Sequence, residues 1–174
     1  MLPKLQIEFD SLNNSLANTL NYMDNLSVES RYASKPGEWN AAQILYHLKD
    51  AESGTLAYLS KKIQAPESEV PRGGLSSKIR SVMLSRALRN YDRKFKVPSG
   101  LNAVPEQPDY DKVRKEYLDV REKMGLLLER FDKKMVNKAY FKHPRAGRIT
   151  ILQTMGFLKD HFDRHTEQII ERSC

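Results

Sequence analysis

The chain is poor in cysteine, glycine, proline and long apolar runs, and each shortage excludes something. There is one cysteine in 174 residues, Cys174, so no disulfide framework can form within the chain. No stretch of about 18 apolar residues occurs, so no helix able to span a bilayer is expected. The opening residues Met1-Leu2-Pro3-Lys4-Leu5-Gln6 lack the apolar core of a signal peptide, which makes the cytoplasm the expected compartment. The 8 glycines and 8 prolines gather mainly in two places, which leaves the rest free to run as long helices. Period-2 alternation does not persist anywhere, so no sheet is expected. There is no RNA-binding aromatic motif and no paired zinc knuckle, so no nucleic-acid partner is expected.

What is present is a basic, moderately apolar chain of the size of one domain, 1–174. Hydrophobic residues make up 40%, enough for a sizeable core, and the formal net charge is +7. Part of that charge is local. Lys78, Arg80, Arg86, Arg89, Arg93, Lys94 and Lys96 face a single acid, Asp92. Such a patch can attract an anionic molecule, but a solvated helix face is the simpler expectation.

Apolar stripes set out four long helices. Leu5, Phe9, Leu12, Leu16, Leu20, Met23 and Leu26 recur at spacings of three and four, an amphipathic first helix. Pro36-Gly37 marks a turn, and Asn40 with Gln43 three residues on forms a capping box opening a second helix over about 41–62. Its expected inner face is Ile44, His47, Leu48, Ala51, Thr55 and Tyr58. Residues 65–77 read as a loop, with Ser76 or Ser77 as the cap of a short extra helix over about 78–95. Pro98 and Gly100, then Pro105 and Pro108, break the pattern before Asp109 or Asp111 opens the third long helix. That helix carries Val113, Tyr117, Val120, Met124, Leu127 and Phe131 at a coiled-coil-like period suited to a bundle. His143 to Arg148 read as a turn that leaves His143 exposed. Thr150 and Gln153 form a second capping box, which opens the last helix over about 151–171.

Histidines carry the functional signal. His161 and His165 stand four apart on one helix face, the spacing at which two imidazoles grip one ion. The residue after His161 is Phe162 rather than glutamate, which excludes the zinc-protease helix motif. His47 lies on the inner stripe of the second helix, between Ile44 and Leu48. Buried imidazoles need partners, and on the pattern alone either a metal ion or hydrogen bonds within the core would serve.

Two segments resemble the signatures of the DinB-like superfamily. One is Pro36-Gly37-Glu38-Trp39-Asn40-Ala41-Ala42-Gln43-Ile44-Leu45-Tyr46-His47-Leu48, followed by Asp50 and Glu52. The other runs from His143-Pro144-Arg145-Ala146-Gly147-Arg148 through Thr150 and Gln153 to His161-x-x-x-His165-x-x-Gln168-Ile169. Lys94-Phe95-Lys96-Val97-Pro98 also looks like members of the group, and the resemblance spans nearly the whole chain. One departure is Asn40, where the family commonly has Ser or Thr, and asparagine caps equally well. The resemblance implies an all-α, antiparallel four-helix bundle with a long connection after the second long helix. It also implies a metal triad of His47, His161 and His165. The expected ion is divalent, zinc or nickel first and iron or manganese next.

An open three-histidine site can lower the pKa of a coordinated water or hold a thiolate, either of which would be the nucleophile. Family relatives include metal-dependent hydrolases and transferases of low-molecular-weight thiols. The resemblance therefore implies an enzyme acting on a small molecule. A non-catalytic stress protein that binds a metal or small ligand is the alternative, and a structural bundle without metal is the third. Asp50 and Gln168, each three residues from a histidine, could orient the imidazoles, although solvated helix positions are the simpler expectation. Trp39 is expected to pack at the start of the second helix, and Tyr46 to stand near an entrance. Bundles of this kind often pair, so a homodimer is expected.

Overall fold

A computed structural model describes residues 1–90 and 103–173 of the chain. Four long helices form its frame: α1 (Pro3–Asp24), α3 (Ala41–Lys62), α5 (Tyr110–Glu129) and α6 (Ile151–Ser173). A short α2 (Val28–Tyr32) follows α1, and α4 (Leu75–Arg89) lies in the long connection between α3 and α5.

Each long helix begins where local chemistry dictates. Pro3 stands in the first turn of α1, where its fixed φ suits a helix start. Asn40 and Gln43 form the expected capping box of α3, with the Gln43 amide N–H donating to Asn40 Oδ1 at 2.8 Å. Asp109 caps α5 through the Lys112 N–H. Thr150 and Gln153 bond reciprocally at the start of α6. Gly37 takes a φ of +78° in the turn before α3, a conformation glycine adopts without strain.

The apolar stripes face inward. Leu5, Phe9, Leu12, Leu16, Leu20 and Met23 of α1 are all buried, as are Val113, Tyr117, Val120, Met124 and Leu127 of α5. On α3 the buried face is turned slightly from the expected one. It includes Leu45, Glu52 and Leu59, while Ala51 and Tyr58 are half-buried.

Around the bundle the order is α1, α6, α3, α5 and back to α1. Cross-helix contacts set the directions. Thr19 meets Thr166 and Tyr22 meets Ser173, so α1 and α6 are parallel. Tyr110 reaches Asp24 and Arg121 reaches Asn13, so α1 and α5 are antiparallel. Antiparallel α3 and α6 bring His47 to His161 and His165, and Glu38, just before α3, to Arg172. The expected all-α bundle with its long connection is therefore present, with two neighbouring pairs antiparallel and two parallel. The physical reason is the connection itself. It crosses the length of the bundle, so α5 runs in the same direction as α3 rather than folding straight back.

Three local features differ from expectation. α4 begins at Leu75 after Gly74, not at a Ser76 or Ser77 cap, and the Ser77 hydroxyl instead donates to the Gly74 carbonyl at 2.8 Å. The expected continuation of this helix to Phe95 falls outside the described residues. A two-stranded antiparallel hairpin, β1 (Phe141–His143) and β2 (Gly147–Ile149), stands where only a turn was expected. Strands of three residues are too short for alternation to show, and Gly147 at φ +65° supplies the tight return. Finally, the basic segment is only partly a solvated face. Arg80 Nε donates to the Ala146 carbonyl of the hairpin at 2.7 Å, and Arg89 Nε donates to Asp160 of α6 at 2.8 Å. In return, Arg164 of α6 donates to the carbonyls of Leu88 and Asn90, which satisfies the open C-terminal end of α4.

Candidate metal centre

The antiparallel crossing of α3 and α6 gathers three histidines. His47, near the start of α3, is buried, and His161 and His165, one turn apart on α6, are half-buried. Their ring centroids lie 5.4 Å (His47–His161), 4.9 Å (His47–His165) and 4.6 Å (His161–His165) apart. Each offers one ring nitrogen in a set whose members all lie within 4.8 Å of one another. Three histidines close enough to hold one ion are thus present, and His47, His161 and His165 are the residues expected from the sequence.

The electrostatics favour the ligand form. Burial holds all three imidazoles below the ordinary histidine range. For His161, burial is reinforced by repulsion from His165 and His47. His165 is pushed down to about 3, mainly by burial and then by His47. Neutral imidazole is the form that binds a metal. His165 Nδ1 lies 2.6 Å from Gln168 Oε1, and because a carbonyl oxygen only accepts, this bond favours the tautomer with the proton on Nδ1 and Nε2 free as a ligand atom. Among the described residues no group hydrogen-bonds the ring nitrogens of His47 or His161. An open cluster of neutral nitrogens without protein partners fits a divalent ion with a free coordination position.

Trp39 packs at the entry to α3, as expected, and its ring also stands 5.1 Å from that of His47. Tyr46 makes no ring contact with the three histidines, and Lys49 Nζ lies 4.4 Å from its ring. Asp50 acts on His47 through its charge, which opposes the lowering by burial. On the other side Phe157 stacks on His161 at 5.7 Å and 27°.

His143 corrects an expectation. It is buried, not exposed, because the hairpin folds it against Phe157 at 4.5 Å. Its Nδ1 accepts the backbone N–H groups of Arg145 and Ala146, and burial pushes it down to about 4. It ties the hairpin together and does not join the three-nitrogen cluster.

A second polar cluster escaped notice in the sequence. Arg121 Nε and Nη2 donate to the two oxygens of Glu52 at 2.6 and 2.8 Å, and the Tyr117 hydroxyl donates to Glu52 Oε1 at 2.6 Å. All three side chains are buried. The available signal was Glu52 on the stripe Leu48, Glu52, Thr55, Leu59, matched by Arg121 on the stripe Tyr117, Arg121, Met124. Opposite charges on two apolar stripes imply a pair across the helices.

Fold and site together define an all-α bundle protein with a histidine cluster between two antiparallel helices. The sequence model of the DinB superfamily matches residues 11–169, nearly the whole chain. The protein belongs to the DinB superfamily. No curated protein and no solved structure matches it.

Proposed function

We propose that the protein is a metal-dependent enzyme that acts on a small molecule by hydrolysis or by transfer of a low-molecular-weight thiol. His47, His161 and His165 hold one divalent ion, zinc or nickel before iron or manganese. The observation that supports this is the convergence of three neutral imidazoles whose ligand atoms lie within 4.8 Å of one another. When bound, the ion would supply Lewis acidity and a nucleophile usable at neutral pH. The chain's own residues do the positioning. Gln168 holds His165 in one tautomer, and Trp39 and Phe157 wall His47 and His161 on either side. Asp50 helps to orient His47. Bundle pairing to a homodimer belongs to the same proposal, with the exposed apolar residues Leu75, Ile79, Val82 and Met83 of α4 as available surface. Light scattering checks it.

The second reading, a metal- or ligand-binding protein without turnover, is favoured by His143. It packs on Phe157, which in turn stacks on His161, and its Nδ1 is already occupied by two backbone donors. It is therefore not poised to accept a proton.

Plasma mass spectrometry on untagged protein, with His47→Ala beside it, tests the site. About one ion per chain, lost in the variant, is expected. No ion in either protein after reloading with each metal would overturn it. Turnover of thiol-transfer and hydrolase substrates by the loaded protein then separates enzyme from binding protein.

A further inference from the structure

Where α4 lies across α6 it leaves a cavity of about 440 Å³, bordered at one side by α1. That size falls within the usual range for small-molecule sites, roughly 300–1,000 Å³. Val82, Leu84 and Phe157 give it apolar walls. Most of its charges are already used: Arg89 pairs with Asp160, and Lys159 pairs with Asp163.

Glu8, Arg86 and Ser81 of the same lining have no side-chain partner among the described residues. Glu8 of α1 is half-buried and has no hydrogen bond or ion pair among the described residues. Arg86 of α4, on the rim, has none either, and the two do not reach each other. Ser81 Oγ is buried without a partner, the one such side-chain atom among the described residues. An unpaired buried hydroxyl is costly, and native structures rarely leave one without a reason. A half-buried carboxylate and an exposed rim guanidinium, both without protein partners, and an unmet buried hydroxyl therefore border one apolar-walled space.

We propose that this cavity binds a zwitterionic small molecule of the amino-acid or short-peptide class. Its ammonium group lies against Glu8 and its carboxylate against Arg86. The Ser81 hydroxyl bonds one of its polar atoms, and its apolar part lies against Phe157 and Val82. The charge pattern selects this class. A phosphate or polyanion would meet Glu8 as well as Arg86, and a cation would meet Arg86 as well as Glu8. Bidentate guanidinium recognition suits a carboxylate. Phe157 also stacks on His161, so a molecule here would lie one side chain away from the histidine cluster. The proposal holds whether or not that cluster carries an ion.

The test is calorimetric titration with the dipeptide alanyl-phenylalanine, followed by free amino acids and other dipeptides. N-acetylated and C-amidated forms of each ligand serve as controls. In the unaltered protein each blocked form is expected to bind about tenfold or more weaker than its parent, the scale of one lost charged hydrogen bond. Glu8→Gln should abolish discrimination against the acetylated form, and Arg86→Gln that against the amide. Ser81→Ala should weaken the parent ligand. Circular dichroism confirms that the variants fold, and metal content, measured in parallel, should be unchanged. No binding by any zwitterion up to its solubility, equal binding of blocked and parent forms, or binding unaffected by all three variants would each overturn the proposal. Loss of metal in His47→Ala with dipeptide binding intact, or the reverse, shows which of the two sites has failed.

Discussion

Two polar clusters share α3 and meet their hydrogen-bonding needs in opposite ways. Glu52, Tyr117 and Arg121 form a closed set, with both carboxylate oxygens occupied and Arg121 extended to Asn13. His47, His161 and His165 form an open set, in which Gln168 alone among the described residues supplies an outside hydrogen bond. Burial acts on both. It raises the Tyr117 hydroxyl well above its ordinary range, with the Glu52 charge adding to it, and it lowers the histidines. A cluster that satisfies itself serves to hold helices in register, whereas one that leaves neutral nitrogens pointing at each other is suited to take something in. Burial of charge therefore does not by itself mark a binding site here, whereas ligand atoms left without protein partners do.

The largest expected effect breaks the closed set. Glu52→Ala strands the Arg121 guanidinium in the core and should cost about 3–5 kcal/mol in urea unfolding, while Glu52→Met with Arg121→Met should recover most of it. A single-variant cost below about 1 kcal/mol would mean that the pair is not a closed structural lock. In the open set the contrast should reverse. His161→Ala should weaken metal binding by more than about 100-fold, beyond the range seen for outer-shell changes, yet leave the metal-free protein nearly as stable as before. A large loss of metal-free stability would make the histidines structural instead. Gln168→Leu frees His165 to rotate and should weaken metal binding by about 10- to 100-fold without abolishing it, as read by competition with a chromogenic chelator.

A further effect is on pH. His143 and His165 are held down to about 4 and about 3 in the fold, against 6.5 when unperturbed. Below 6.5 the unfolded chain takes up protons that the fold refuses, so stability is full above that pH and falls as pH drops toward 4. The slope approaches about 1.4 kcal/mol per pH unit for each such histidine. Thermal midpoints of chelator-treated protein at pH 7.5 and 5 check it, and a flat profile would show that these imidazoles are not buried neutral.

Much of the frame was legible in the sequence because its causes are local. Capping boxes need residues three apart, and amphipathic stripes need residues three and four apart, so α1, α3, α5 and α6 could be placed from Asn40, Asp109, Thr150 and the leucine stripes. Short elements held by distant contacts were legible only in part: a helix in the region of α4 was expected, but not its start at Leu75 or its fastening. α2 is tied back by Arg31, which donates to the carbonyls of Met23 and Asp24. The hairpin is three residues a side, and α4 is fastened through Arg80, Arg89 and Arg164. His143 was misplaced for the same reason, since a Pro-Gly segment looks exposed until a helix residue such as Phe157 covers it.

By itself the sequence determined the helices, their inner faces and the pairing of His161 with His165, because a residue's neighbours within one turn follow from helical geometry. Local geometry did not determine that His47 would meet that pair, which only the family resemblance implied, that Glu52 would meet Arg121, or that Glu8, Ser81 and Arg86 would border one cavity. Those meetings join residues far apart along the chain. They exist only once the long connection has set α5 parallel to α3 and packed α4 across α6, which fixes both which faces oppose one another and at what depth.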